Sequence, residues 1–216
     1  MVGPLARAQV AQAARRLHAA GWVANHDGNI SVRLGKDRFL ITPTATSKLE
    51  VQEPSLVVID GSGNVVEGTK KPPGETELHL AAYRARPDVE AVLHAHPPYA
   101  TAFGAARCEL SPICLPEAVV SLGHVPLAPF ALPKTPQAVE AVSRCATEAD
   151  AMLLPGNGAL TLGPDVAVAY LRMELVEHLA RILHHARALG GAEPLPDGTM
   201  RELLEQNRKL FPRGRR

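Results

Sequence analysis

Residues 75–102 read ETELHLAAYRARPDVEAVLHAHPPYATA, and this stretch decides the fold. In its first part, ETELHLAAYRAR (75–86), Leu78, Ala81 and Ala82 recur at helical spacing. Pro87 closes that segment, because the residue before a proline is pushed out of the helical region. VEAVLHAH (89–96) is a strand candidate that stops at Pro97-Pro98, and a short helix is expected over 99–106. The unit is a helix leading into a strand, with chemically active side chains at the start of one and the end of the other.

Outward from this unit the pattern alternates between hairpins and helices. Residues 4–20 read as a helix stopped by Gly21. NISVRL (29–34) and RFLIT (38–42) flank Gly35-Lys36-Asp37, and LVVID (56–60) and NVVEG (64–68) flank Gly61-Ser62-Gly63, so two hairpins are expected. HVPLAPF (124–130) reads as a strand whose prolines place it at an edge or bend. Thr135 caps an expected helix through about Cys145. AMLLP (151–155) and ALTLG (159–163) flank Gly156-Asn157-Gly158, and a long helix runs from Pro164-Asp165 to Gly190-Gly191. Residues 1–191 form one expected domain, and 192–216 a polar tail with a short helix at 199–210. Hairpins mixed with helices point to an α/β or α+β class with a mainly antiparallel sheet.

Composition narrows the function. Lys+Arg is 23 and Asp+Glu 22, a net charge of +1, which argues against nucleic acid or a membrane surface as partner. Aromatics are 4%, so the core is built from Ala, Val and Leu and lacks base-stacking platforms. No segment reaches ~18 apolar residues, so no transmembrane helix is expected. The amphipathic, Arg-bearing start lacks the apolar run of a signal peptide, and three cysteines without a CxxC pair suit a reducing, cytoplasmic compartment.

His94-Ala95-His96 is the sharpest chemical feature. Side chains at i and i+2 on a strand share a face, so two imidazoles there can share one metal ion. Two ordinary histidines at a strand end look the same. Glu75, after Pro72-Pro73-Gly74, opens a helix whose dipole favours a carboxylate; it is a general base, a metal ligand, or a plain helix-start glutamate. His79 lies one turn after Glu75, placed to orient the site from behind it. Asp27-Gly28-Asn29-Ile30-Ser31 and Ile41-Thr42-Pro43-Thr44-Ala45-Thr46 are donor-rich loops suited to an anion, though each alone is also an ordinary turn.

The ordered set DGNISVRL, ITPT, the 75–102 stretch, LPEAVVSLGHVPLAPF and LLPGNGALTLG resembles the class II aldolase/adducin family over roughly residues 5–191. The resemblance implies a three-layer α/β/α domain with a central, mostly antiparallel sheet, and a homotetramer with sites between subunits. It implies a divalent metal, usually Zn2+, held by an HxH pair matching His94 and His96, with the third ligand position falling on Asn157 in place of histidine. It makes Glu75 the acid/base, and Asn29 and Thr44 the contacts to a substrate phosphate. The Ser-Ser pair of phosphate-handling members reads Pro73-Gly74 here, which leaves Gly74 its N–H, and the family's tyrosine falls near Leu115, with no Tyr between 100 and 169.

The function so implied is a metal-dependent aldolase that cleaves a small hydroxyketone or sugar phosphate through an enediolate. Glu75 would move the proton, at a pKa lifted toward neutrality by partial burial. Epimerase, decarboxylase and dehydratase chemistry fit the same site. A non-catalytic adducin-like interaction module is the competing reading, favoured by Asn157 and Pro73-Gly74 and opposed by the joint presence of Glu75, His94 and His96. A hydrolase built on the same HxH lacks a third strong ligand.

Overall fold

A computed structural model describes residues 3–212; the outermost residues of the expected domain and tail, 1, 2 and 213–216, lie outside the described residues. The chain forms α1 (Pro4–Ala19), β1 (Asn29–Gly35), β2 (Arg38–Ile41), β3 (Val57–Ile59), β4 (Val65–Glu67), α2 (Thr76–Ala85), β5 (Ala91–Ala95), α3 (Pro98–Ala105), α4 (Pro116–Leu122), α5 (Pro136–Glu148), β6 (Ala151–Leu153), β7 (Ala159–Gly163), α6 (Val166–Ala188) and α7 (Asp197–Leu210). The strands make one sheet in the order β4-β3-β2-β1-β5-β7-β6, and every neighbouring pair is antiparallel.

Period-two alternation sends each strand's side chains to two different cores. Ile30, Leu40, Val58, Leu93 and Ala159 join one core with α1, α3, α4 and α6. Phe39, Ile41, Val57, Ile59, Val92, Leu160 and Leu162 join the other with α2 and α5. The result is the expected α/β/α sandwich. Alanine dominates the helix faces, for example Ala138, Ala141 and Ala146 on α5, so few aromatics are needed to close the layers.

Helix ends follow local chemistry. Thr135 Oγ1 accepts from Ala138 N at 3.3 Å and Asp165 Oδ1 from Val168 N at 2.8 Å, satisfying first-turn donors of α5 and α6. The structure corrects the sequence reading at 124–130. Only an isolated bridge, Leu127 with Leu153, forms there, because Pro126 and Pro129 withhold the amide donors a ladder needs. Helix α4 was not anticipated; Pro116 opens it and Gly123, at φ 68, ends it. The tail packs on the domain rather than trailing from it: Asn207 of α7 is buried and donates through Nδ2 to Val120 O at 2.8 Å.

At the end of the sheet where β6 begins, Asp150 is 2% exposed and faces two arginines, Arg86 Nη1 at 3.0 Å and Arg172 Nη2 at 3.1 Å. A cavity of about 220 Å3 there is lined in part by Arg86, Asp150, Arg172 and Phe211, and includes none of the site residues described below. Removing one partner from a buried ion cluster leaves an uncompensated charge. Asp150→Ala is therefore expected to lower stability by about 3–5 kcal/mol, seen as a fall in the urea midpoint with the slope unchanged.

Candidate active site

The opposite end of the sheet gathers the candidate site. Register places Asn29, the first residue of β1, directly beside His94 of β5. Asn29 and His94 have the parity of Ser31 and Val92, so they face the α2 layer, and α2 begins immediately after Glu75. The turn between β6 and β7 brings Asn157 to the same point. Two glycines let these parts meet. A Cβ on Gly28 (φ 69) would lie 3.0 Å from His94 O, and one on Gly158 (φ 69) 2.6 Å from the His96 ring.

Glu75 is the centre. Its Oε2 accepts from Asn29 Nδ2 at 3.0 Å, and its Oε1 from Asn157 Nδ2 at 2.7 Å. His94 Nδ1 lies 3.0 Å from Oε2 as an ion-pair contact, although it is not aligned for a hydrogen bond. His94 Nε2 donates to Asn157 O at 2.8 Å. His96 stands just beyond β5, its ring centroid 5.0 Å from that of His94, with Nδ1 3.5 Å from Asp27 Oδ2.

The electrostatics of Glu75 reverse the sequence expectation. Burial alone pushes the carboxyl up, but the His94 charge and the amide donors of Asn157 and Asn29 outweigh it and hold the pKa well below the ordinary value. The carboxylate is thus held ionised instead of poised near neutrality. Burial disfavours charge on His94, yet Glu75 beside it and the Asn157 carbonyl raise its pKa overall. Burial and the neighbouring His94 charge lower His96.

The structure brings Asn29, Glu75, His94, His96 and Asn157 together. Thr44 and Gly74 lie on loops flanking them. Thr44 N donates to Lys71 O at 3.0 Å, which ties the two loops to each other. Gly74 is crossed by Lys134, whose Nζ would sit 2.7 Å from a Cβ there, so the position accepts no side chain without displacing that lysine. Lys134, Lys48 and the Asp27–His96 contact escaped the sequence reading. Lys48 is fully buried, donates from Nζ to His26 O at 3.1 Å and Thr46 O at 3.2 Å, and has its pKa lowered by burial to about 8. A lysine in a single short turn or a loop carries no periodic signal that distinguishes it from a solvated one.

Two imidazoles, a carboxylate and an amide make a donor set that a divalent cation accepts. The buried, unaligned His94 Nδ1 opposite Glu75 calls for positive charge at that spot, from a proton or from a cation both atoms ligate. His94, His96 and Glu75 therefore fit a divalent cation, although no three His, Cys, Asp or Glu side chains already converge as a preformed cluster among the described residues. Asn157 meanwhile donates to the carboxylate.

The layered α/β/α domain thus places a glutamate and an HxH pair at one end of its antiparallel sheet. Residues 8–184 match the family of the class II aldolase and adducin N-terminal domain, and the chain belongs to this family. It is 32% identical over 169 residues to L-fuculose phosphate aldolase of Methanococcus vannielii, covering 78% of this chain and 90% of that one. It is 31% identical over 176 residues to 3-oxo-tetronate 4-phosphate decarboxylase of Haemophilus influenzae, covering 79% and 83%. A solved L-fuculose 1-phosphate aldolase superposes with TM-score 0.86 at 28% identity, covering 95% of this chain and 97% of that one. The protein is an enzyme of the class II aldolase family.

His79 gives the site a pH signature. Burial and the His94 charge lower its pKa from 6.5 to about 3, so folding holds the ring neutral. A lowered histidine contributes stability that is fully present above its unfolded pKa and is lost as pH falls toward the folded one. Stability is expected to fall between about pH 6.5 and 3 more steeply in the parent than in His79→Gln, compared by thermal denaturation across that range.

Proposed function

We propose that the protein is a divalent-metal-assisted aldolase acting on a small phosphorylated ketose, with Glu75 as the group that moves the proton. The observation that carries this is the placement of the Glu75 carboxyl group, held by one amide on each oxygen (Asn29 at 3.0 Å, Asn157 at 2.7 Å) at the mouth of the HxH strand. Cleavage of the C–C bond takes a proton from the hydroxyl of the departing aldehyde and returns one to the carbon left behind. Glu75 accepts and delivers protons at this point. His94, His96 and Glu75 would hold the cation, with Asn157 beside them. Bound there, the cation supplies Lewis-acid polarisation of the substrate carbonyl.

Asn29, Thr44 and the Gly74 N–H would receive the substrate's anionic end, with Lys134 over Gly74 supplying charge that the sequence's near-neutral balance does not advertise. A phosphorylated substrate is supported by the names of both relatives, an aldolase and a decarboxylase that act on sugar or sugar-acid phosphates. The decarboxylase relative also supports a second reading, in which the same carboxylate protonates the carbanion left by loss of CO2. A cytoplasmic setting and a homotetramer belong to the same proposal. Exposed Leu49, Val65, Phe130 and Leu132 support surfaces that other copies cover, and no helix among the described residues is long and apolar enough to cross a membrane.

The deciding experiment is turnover of a panel of ketose 1-phosphates and 3-oxo acid phosphates with Zn2+, Mn2+ and Co2+ supplied in turn. Release of an aldehyde and glycerone phosphate is expected from the parent, and Glu75→Gln should lower kcat by at least about 10²-fold while keeping the fold. Full turnover in Glu75→Gln overturns the role given to this residue. Release of CO2 without aldehyde moves the assignment to the decarboxylase reading.

A further inference from the structure

Behind the site lies a polar seam between β1 and α2. Asn29 and Ser31, two apart on the strand, face Glu75, His79 and Tyr83, four apart along the helix start. All but Glu75 are nearly out of contact with solvent: Asn29 3%, Ser31 1%, His79 1% and Tyr83 2% exposed. Buried polar groups are hydrogen-bonded, and in a closed set of them the proton positions can be worked out one by one.

The deduction starts at the carboxylate. Asn29 Nδ2 donates to Glu75 Oε2, so Asn29 Oδ1 faces the other way, toward His79 Nε2. An amide oxygen only accepts, so His79 carries its proton on Nε2. The ring is neutral in its buried setting, so Nδ1 is bare and must accept. The hydroxyl of Ser31, 2.7 Å from Nδ1, supplies that proton. With its proton committed, Ser31 Oγ accepts from the Tyr83 hydroxyl at 2.9 Å. Turning the Asn29 amide over would set its oxygen against the carboxylate, two acceptors with no proton between them. The chain Tyr83 to Ser31 to His79 to Asn29 to Glu75 therefore has one direction, fixed at the carboxylate end.

We propose that His79 is a positioning residue: in its Nε2–H form, backed by Ser31 and Tyr83, it locks the Asn29 amide so that the Glu75 carboxylate is presented in one orientation. The proposal rests on the reading of Glu75 as the proton-moving group. Asn157 holds the other carboxylate oxygen, Oε1, and His94 lies against Oε2 beside Asn29, so loss of the seam loosens Glu75 without releasing it. Groups that orient a reacting carboxylate from behind typically change rate by about 10–100-fold when removed.

The test uses the full chain. In 15N-histidine NMR, His79 is expected to show one protonated nitrogen, Nε2, and one bare nitrogen, unchanged between about pH 5 and 8. In steady-state kinetics with the ketose phosphate the enzyme turns over, His79→Leu is expected to lower kcat by about 10–100-fold with KM changed less than about 3-fold. His79→Gln, whose side-chain amide can still donate to Asn29, should recover most of that loss. Equal losses in His79→Gln and His79→Leu would show a packing role and overturn the proposal, as would unaltered kcat in His79→Leu or a proton on Nδ1 in the spectrum. Should His79→Leu fail to fold, Ser31→Ala decides. It removes the donor to Nδ1 and should lower kcat and mix the tautomers; full kcat with a single Nε2–H tautomer overturns the proposal. The spectrum needs no turnover, so an intact tautomer alongside a fully active Glu75→Gln would sink the role of Glu75 and leave the hydrogen-bond chain standing.

Discussion

A carboxylate withdrawn from water is costly unless every lone pair it turns inward is met. Glu75, with 17% of its side chain exposed, opens α2 and meets that demand by drawing on three other pieces of chain: the first residue of β1, the end of β5 and the β6–β7 turn. Each has to arrive in register. The cross-strand pairing of Asn29 with His94 sets one side of the cage, and the close approach that Gly158 permits sets the other. The site's geometry is the geometry of this one group's solvation, and the cation-binding histidines of the proposal are placed by the same contacts.

The sheet supports this because its two ends do different work. Through its middle, β5 is apolar on both faces and pinned between β1 and β7. At its far end Asp150 joins Arg86 and Arg172, an ion cluster that fixes the end of α2 and the second turn of α6 against the sheet. At its near end the polar side chains gather. Helix α2 carries both patterns at once: Leu78, Ala81 and Ala82 pack into the core, while Glu75, His79 and Tyr83 form a hydrogen-bonding stripe. The cavity of about 220 Å3 lies at the ion-cluster end. The candidate site lies at the other, where the perturbed carboxylate and imidazoles meet.

Much of this was legible in the amino-acid pattern. The helix at 75–86, the strand ending at Pro97, the two hairpins and the long final helix all stand within a few residues of their expected limits, because periodicity, proline stops and caps are local effects. The segment 124–130 read as a strand because it alternates, yet its prolines and its place beside β6 allow only a single bridge. Helix α4 hid because a seven-residue helix opened by proline carries too little periodicity to register. Lys48 and Lys134 hid for a different reason: a cation in a single short turn or a loop has no pattern, and only packing shows that one is buried and the other crosses Gly74.

By itself the sequence determined the α/β/α layering and the neighbourhood of His94 and His96, and it singled out Glu75 as a candidate, since these follow from spacing along one chain segment and the family resemblance it carries. Only the tertiary structure decided the state of those groups. Burial was expected to raise the Glu75 pKa, but the His94 charge and the donors that cross from β1 and the 156–158 turn lower it. The proton on His79 is likewise assigned by partners 46 to 52 residues apart in the chain, between which no local pattern exists. Spacing along the chain sets which face a side chain shares. The charge it carries is set by what the fold places across from it.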